Sequence, residues 1–292
     1  MKQILVPTDF SSCAGNAISF AVQSAKLLPA EITLLHATGL PGTLHTDYAG
    51  VNKAFRDQQL KDDANQLMAL KQSIEQRHDI HVRTLITAVP LKEAIVEATA
   101  GGNFDLVIMG TLGASGLKEK LWGSNTAAVI ERSNIPVLAI PHEYTWKKPE
   151  KFLLATGNFE KAPAMLNQVF ELASLYMAHV DVAVFTDEGD EAVTFLEHAR
   201  NAPWYEHLLS QRYGDQTVST AQLSGKNFEK TLQDHIRDNG IDVLVMITYK
   251  RGSWDKIFHP SRTKRMSYHT KVPLLAIPAD GFFQLHRDEH QR

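Results

Sequence analysis

This chain carries a single cysteine, Cys13, in 292 residues, so no disulfide can form within it. That scarcity fits a reducing compartment. No apolar run approaches the roughly 20 residues needed to cross a bilayer. The N-terminus, Met1-Lys-Gln-Ile-Leu-Val-Pro-Thr-Asp9, turns polar too soon for a secretory signal. Net charge is also small: 30 Lys and Arg against 33 Asp and Glu leave −3, which argues against a dedicated nucleic-acid binder. There is no G-x-S-x-G elbow and no G-x-x-x-x-G-K-[ST] loop, and the 13 histidines show no metal-ligand spacing. No catalytic nucleophile declares itself. These absences leave a cytoplasmic globular protein, with neither membrane nor nucleic acid as a partner. Its length and 43% hydrophobic content suffice for one large domain or two ordinary ones.

An internal repeat decides between them. Asp105-Leu-Val-Ile-Met109 recurs as Asp242-Val-Leu-Val-Met246, and Ile135-Pro-Val-Leu-Ala-Ile-Pro141 recurs at the same separation as Val272-Pro-Leu-Leu-Ala-Ile-Pro278. The chain therefore reads as two copies of one domain, 1–145 and 146–292, joined by the polar segment His142 to Pro149. Each copy alternates short apolar runs with helical patterns, the mark of a parallel α/β sheet. In the first copy the strands are Gln3 to Pro7, Glu31 to Ala37, Val82 to Ile86, the Asp105–Met109 run and the Ile135 segment. Ser11 or Ser12 caps the first helix, whose inner face is Ala14, Ile18, Ala21, Val22 and Ala25. The second helix is expected to turn Leu60, Ala64, Leu67 and Ile74 inward, and Pro90 opens the third. Phe152, Val180, Val218, Val243 and Leu274 begin the strands of the second copy. There Pro203 interrupts a helical pattern and predicts an irregular segment.

In an open parallel sheet, ligands bind beyond the carboxyl ends of the strands, where strand order reverses. The residues to inspect are Pro7, Thr8 and Asp9 after strand one, Ala37 after strand two, and Met109 with Gly110-Thr-Leu-Gly113 after strand four. Gly123, Ser124 and Asn125 then lead into a helix. Glycines between a strand end and a helix start let backbone N–H groups cradle phosphate, and the helix dipole favours an anion there. A dinucleotide fingerprint would follow the first strand instead. The expected ligand is thus a nucleotide phosphate chain held differently from NAD. His36, inside a strand, reads as a hydrogen-bonded structural histidine, and Cys13 as a small packed residue.

Ile4-Leu-Val-Pro-Thr-Asp-Phe-Ser11, Leu34-Leu-His-Ala37 and Ile135-Pro-Val-Leu-Ala-Ile140 together resemble the universal stress protein family. Its G-x2-G-x9-G-[ST] nucleotide motif fits Gly110 to Ser124 without a mismatch. The resemblance covers the chain as a tandem of two such domains. It implies a doubly wound fold of the adenine nucleotide alpha hydrolase type, with strand order 3-2-1-4-5 in each. It also implies ATP, with or without magnesium, its adenosine near Asp9 and Ala37 and its phosphates on the glycine loop. Family dimers pair through the fifth strand, so the two fifth strands of a tandem chain are expected to form an internal pseudo-dimer. Whether two chains then make a homodimer stays open.

The second copy departs from the motif. Gly110, Gly113 and Gly123 become Ile247, Lys250 and Pro260, while Ser124 is matched by Ser261. Pro-Thr-Asp becomes Ala155-Thr-Gly-Asn158. Non-glycine side chains block close backbone approach, and proline removes an N–H donor. The same loop carries Lys250, Arg251, Lys256, Arg262, Lys264 and Arg265, read as a solvated basic face or as a site for another anion or an acidic partner. The expected function is an ATP-binding stress-response protein with one nucleotide per chain and an unidentified protein partner. A slow ATPase or phosphotransferase, or a scaffold with vestigial sites, are the alternatives.

Overall fold

The computed structural model describes residues 2–38, 51–111, 124–156, 166–187, 192–214, 217–248 and 270–279. The first half runs β1 (Lys2–Pro7), α1 (Ser12–Leu27), β2 (Ala30–Ala37), α2 (Val51–His78), β3 (Val82–Thr87), α3 (Leu91–Ala100), β4 (Leu106–Gly110), α4 (Ser124–Arg132) and β5 (Val137–Ile140). The second runs β6 (Lys151–Thr156), α5 (Asn167–Tyr176), β7 (His179–Asp187), α6 (Ala192–Tyr213), β8 (Val218–Gly225), α7 (Phe228–Asp238), β9 (Val243–Thr248) and β10 (Leu274–Pro278). All ten strands join one sheet in the order β3-β2-β1-β4-β5-β10-β9-β6-β7-β8. Every neighbouring pair is parallel except β5 with β10, which meet antiparallel with Leu138 opposite Leu275. Each half therefore reads 3-2-1-4-5 from its outer edge inward.

Strands buried on both faces need continuous apolar runs, and β4, β5, β9 and β10 supply them. One core layer joins α1, α2, α5 and α6 to the sheet through residues such as Phe20, Leu67, Phe170 and Tyr205. The other joins α3, α4 and α7 through Ile95, Val129 and Leu232. The halves also meet through α1. Phe20 packs edge-on against Trp146 at 4.7 Å, the Asn16 side chain donates to the His142 carbonyl, and the Tyr176 hydroxyl donates to Ser24 Oγ at 2.6 Å. The segment 142–149, expected as a plain linker, is thus docked: its aromatics cover α1.

Two helices differ from the sequence expectation. Ser11 caps α1 as expected, accepting from the Ala14 N–H. The inner stripe of α2, however, is Asp63, Leu67, Leu70 and Ile74, and Ala64 is exposed. A polar residue takes the inner position because it meets His36. In the second half α6 continues through Pro203. The missing hydrogen bond is offset by packing: Tyr205 and Leu209 are fully buried, and Glu206 accepts both the N–H and the hydroxyl of Thr220 on edge strand β8.

The repeated aspartate has a structural task. Asp105 accepts the Gln3 N–H, and Asp242 accepts the N–H groups of Glu150 and Lys151, with Lys147 Nζ at 2.7 Å. Each carboxylate thereby seats the first strand of its half. Asp242 is buried and Asp105 is exposed. Asp242→Ala is expected to cost about 1–3 kcal/mol in urea unfolding by removing the acceptor of two part-buried N–H donors. Asp105→Ala, where water can substitute, should cost about 1 kcal/mol or less.

Burial also pushes the hydroxyl of Tyr176 up to about 12, opposed by its bond to Ser24, and burial does the same for Tyr144. Both tyrosines stay neutral in the folded chain at a pH where the unfolded chain ionises them. Their contribution to stability is fully present below about pH 10 and should be lost as pH rises through 12. Unfolding midpoints measured from pH 9 to 12 test this, and Tyr176→Phe should flatten the decline.

Candidate functional site at the switch point

Strand β1 is followed by a crossover to β2 on one side, whereas β4 continues to β5 on the other, so the topological switch lies between β1 and β4. The expected site residues on β1, β2 and β4 stand at the carboxyl ends of three adjacent strands. Pro7 and Ala37 end β1 and β2, Thr8 and Asp9 follow Pro7, and Met109 and Gly110 close β4. Ser124 begins α4 and Asn125 is exposed in its first turn. Gly113 and Gly123 lie outside the described residues, as do the basic loop of the second copy and its Ser261 and Pro260.

Gly110 has a packing reason beyond the one read from sequence. A Cβ there would stand 2.7 Å from the Cys13 carbonyl oxygen and 2.8 Å from its sulfur. The start of α1 therefore lies directly against the end of β4, and only glycine admits it. Thr126 in the first turn of α4 donates to the Gly110 carbonyl at 2.9 Å, and the Thr111 N–H bonds Ile140 at 3.0 Å. The end of β4 is thereby fixed from three sides before the loop departs.

Pro7 breaks the ladder at the switch. The Thr8 N–H turns to Leu35 on β2, so the nitrogen of Pro7 lies on the β4 side, where it has no hydrogen to give. The β1–β4 ladder accordingly ends at Leu5 opposite Val107. In the second half Ile4 corresponds to Phe152 by its partners on both sides. Ala155 then replaces Pro7, and the β6–β9 ladder continues to Ala155 opposite Met246. By the same register Phe185 replaces Ala37, and its buried ring packs edge-on against Phe228 at 5.0 Å. Thr38, beside Ala37, is buried and its hydroxyl has no hydrogen-bond partner among the described residues, whereas its counterpart Thr186 bonds His198 at 2.8 Å. Among the described residues the first crevice thus offers a shortened ladder and an unpartnered hydroxyl, which suits a polar ligand group. The second fills the same places with protein.

The β1–α1 turn is strained. Phe10 has φ +61°, in the left-handed region that a bulky residue rarely enters, at a cost of about 1–3 kcal/mol. Thr8 Oγ1 accepts the Phe10 N–H and Asp9 Oδ1 accepts the Ser11 N–H, each at 3.1 Å. Asp9 is exposed at the tip. Nothing in the sequence marks Thr38, since a threonine after a strand is unremarkable until its surroundings are known. Asp63 is hidden among the polar residues Lys61, Asp62 and Asn65. Among the described residues no group of three His, Cys, Asp or Glu side chains could hold a metal ion. No helix of the described residues is long and apolar enough to cross a membrane.

These features define a doubly wound α/β protein with a crevice at its first switch point. The sequence pattern of the universal stress protein family matches residues 1–141. Universal stress protein MJ0577 of Methanocaldococcus jannaschii is 32% identical over 153 residues, covering 48% of this chain and 94% of that protein. Universal stress protein MJ0531 of the same organism is 28% identical over 151 residues, covering 51% of this chain and 84% of that one. The chain belongs to the universal stress protein family. A universal stress protein structure from Archaeoglobus fulgidus shares the fold over 95% of this chain and 98% of its own, with TM-score 0.72 at 18% identity.

Gly110→Ala is expected to destabilise the protein by about 1–3 kcal/mol, because the clash is with backbone that cannot rotate away. Thermal unfolding of the variant checks it, and an unchanged midpoint would show that α1 can retreat from β4.

Proposed function

We propose that this chain binds one ATP, in its N-terminal half, and serves as a cytoplasmic nucleotide-dependent stress-response protein rather than a metabolic enzyme. Division into 1–145 and 146–292 makes the first domain the nucleotide-binding one. Pro7, Thr8, Asp9 and Ala37 border the adenosine in this reading, with Thr38 as a further polar contact. Met109, Gly110, Gly113, Gly123, Ser124 and Asn125 carry the phosphates, where the N-terminus of α4 favours negative charge. The observation that carries the proposal is the contrast at the two switch points. Ala37 has a small side chain where Phe185 packs on Phe228, and Pro7 stands where Ala155 prolongs the ladder. Sequence adds that the glycines survive only in the first copy.

The second domain then serves structure or regulation. Pairing of β5 with β10 uses within one chain the edge through which family dimers associate, which favours a self-contained pseudo-dimer. Nucleotide occupancy acts on partners by stabilising one state of the chain over another.

Calorimetric titration with ATP should give one site per chain, and Ala37→Phe, which copies the second half, should weaken it at least about tenfold, the equivalent of roughly 1.4 kcal/mol. Two sites per chain would refute the asymmetry. Absence of binding, with no nucleotide released from the purified protein, would leave the scaffold reading. Turnover abolished by Asp9→Asn would instead make the protein a slow ATPase.

A further inference from the structure

His36 lies within β2, buried, with its ring against Phe10 at 4.6 Å between centroids. Its Nδ1 is 2.8 Å from the carbonyl oxygen of Thr8. A carbonyl only accepts, so the proton of this bond sits on Nδ1. On the other side of the ring, Asp63 Oδ2 lies 3.4 Å from Nε2, and that oxygen is buried without a hydrogen bond of its own. Asp63 occupies the inner stripe of α2, where an apolar residue would pack with less cost. The ring is thus set between a carboxylate on α2 and the backbone of the strained turn. Thr8 Oγ1, in turn, accepts the Phe10 N–H.

We propose that His36 is a positioning residue for the nucleotide. Its Nδ1–H fixes the Thr8 carbonyl, its ring supports Phe10 in the left-handed conformation, and together these present Asp9 to the ligand. Asp63 Oδ2 backs the ring from α2, 3.4 Å from Nε2. The inference rests on the ATP reading above and goes beyond it, since neither His36 nor Asp63 is among the residues assigned to touch the nucleotide. A strained turn persists only where its surroundings over-determine it. Here the over-determining groups converge from β1, β2 and α2 on the one loop that carries Asp9.

The test compares His36→Phe with His36→Asn in the full chain. Phenylalanine keeps the ring on Phe10 and loses the donor. Asparagine places an amide nitrogen where Nδ1 stands and keeps it. ATP affinity by calorimetry and amide exchange at Phe10 and Ser11 without nucleotide are read for each variant, beside Tm. His36→Phe is expected to bind ATP about tenfold more weakly, in line with loss of one buried hydrogen bond, and to exchange both amides faster. His36→Asn should stay within about threefold of wild type in affinity and keep its amides protected. Equal affinity in His36→Phe and wild type overturns the proposal, and so does a loss of affinity with unchanged exchange or one shared by His36→Asn. If His36→Phe fails to fold, His36→Gln, whose amide nitrogen is displaced from the Thr8 carbonyl, replaces it in the same comparison. A wild-type chain that binds no ATP overturns the nucleotide reading instead, and the exchange data still decide whether His36 holds the turn.

Discussion

A parallel sheet built from five strands leaves its fifth strand with an unpaired row of backbone groups, and this molecule depends on how that edge is closed. β5 and β10 close each other, Leu138 against Leu275, with every residue of the ladder buried. The contact is antiparallel, so the strands of one half run opposite to those of the other. The carboxyl ends of the two sets of strands consequently lie at opposite ends of the ten-stranded sheet. The two switch points cannot share a ligand. Each half must build its own crevice or do without one. The same arrangement sets α1 beside the second half, where Phe20 and Ser24 meet Trp146 and Tyr176.

Much of this was legible because the residues that build the sheet are strongly patterned. Buried runs such as Leu106–Gly110 and Val243–Thr248 have no competing reading in a chain that alternates them with amphipathic stretches. The repeat carried the architecture, and Asp105 and Asp242 were landmarks before their hydrogen bonds to β1 and β6 gave the reason. Local signals failed where tertiary partners override them. Pro203 breaks an isolated helix, but α6 is held to β8 by Glu206 and buried Tyr205, and so runs on. Asp63 could not be told from a surface residue because its partner, His36, comes from another strand.

The candidate site was legible as a set of strand ends, and less so as a set of reasons. Gly110 was read as room for a phosphate, whereas its own Cβ direction is filled by Cys13. Both demands fall on one residue, which is why a glycine there is informative and ambiguous together. Pro7 was read as the end of strand one and as a candidate site residue. Its effect lies in the partner strand, because the missing N–H is one that β4 would otherwise have received. An effect of that kind needs the register, and register is not written in a single segment.

The two halves place the same fold on either side of one trade. The first keeps a broken ladder at Pro7, a buried hydroxyl on Thr38 without a partner among the described residues, and Phe10 in a left-handed turn. Each of these subtracts from stability. At the matching positions the second half has an unbroken ladder at Ala155, a Thr186 hydroxyl bonded to His198, and an aromatic pair where the first half has Ala37. Each of these adds to it. A chain selected for stability alone would have made both halves like the second. Left-handed residues and unmet side chains occur elsewhere too, at Met177 and His235 for example, but at the first switch point Phe10 and Thr38 bring the two together. The stable half, joined through β5 and β10 and through Tyr176, gives the strained half a rigid edge to lean on.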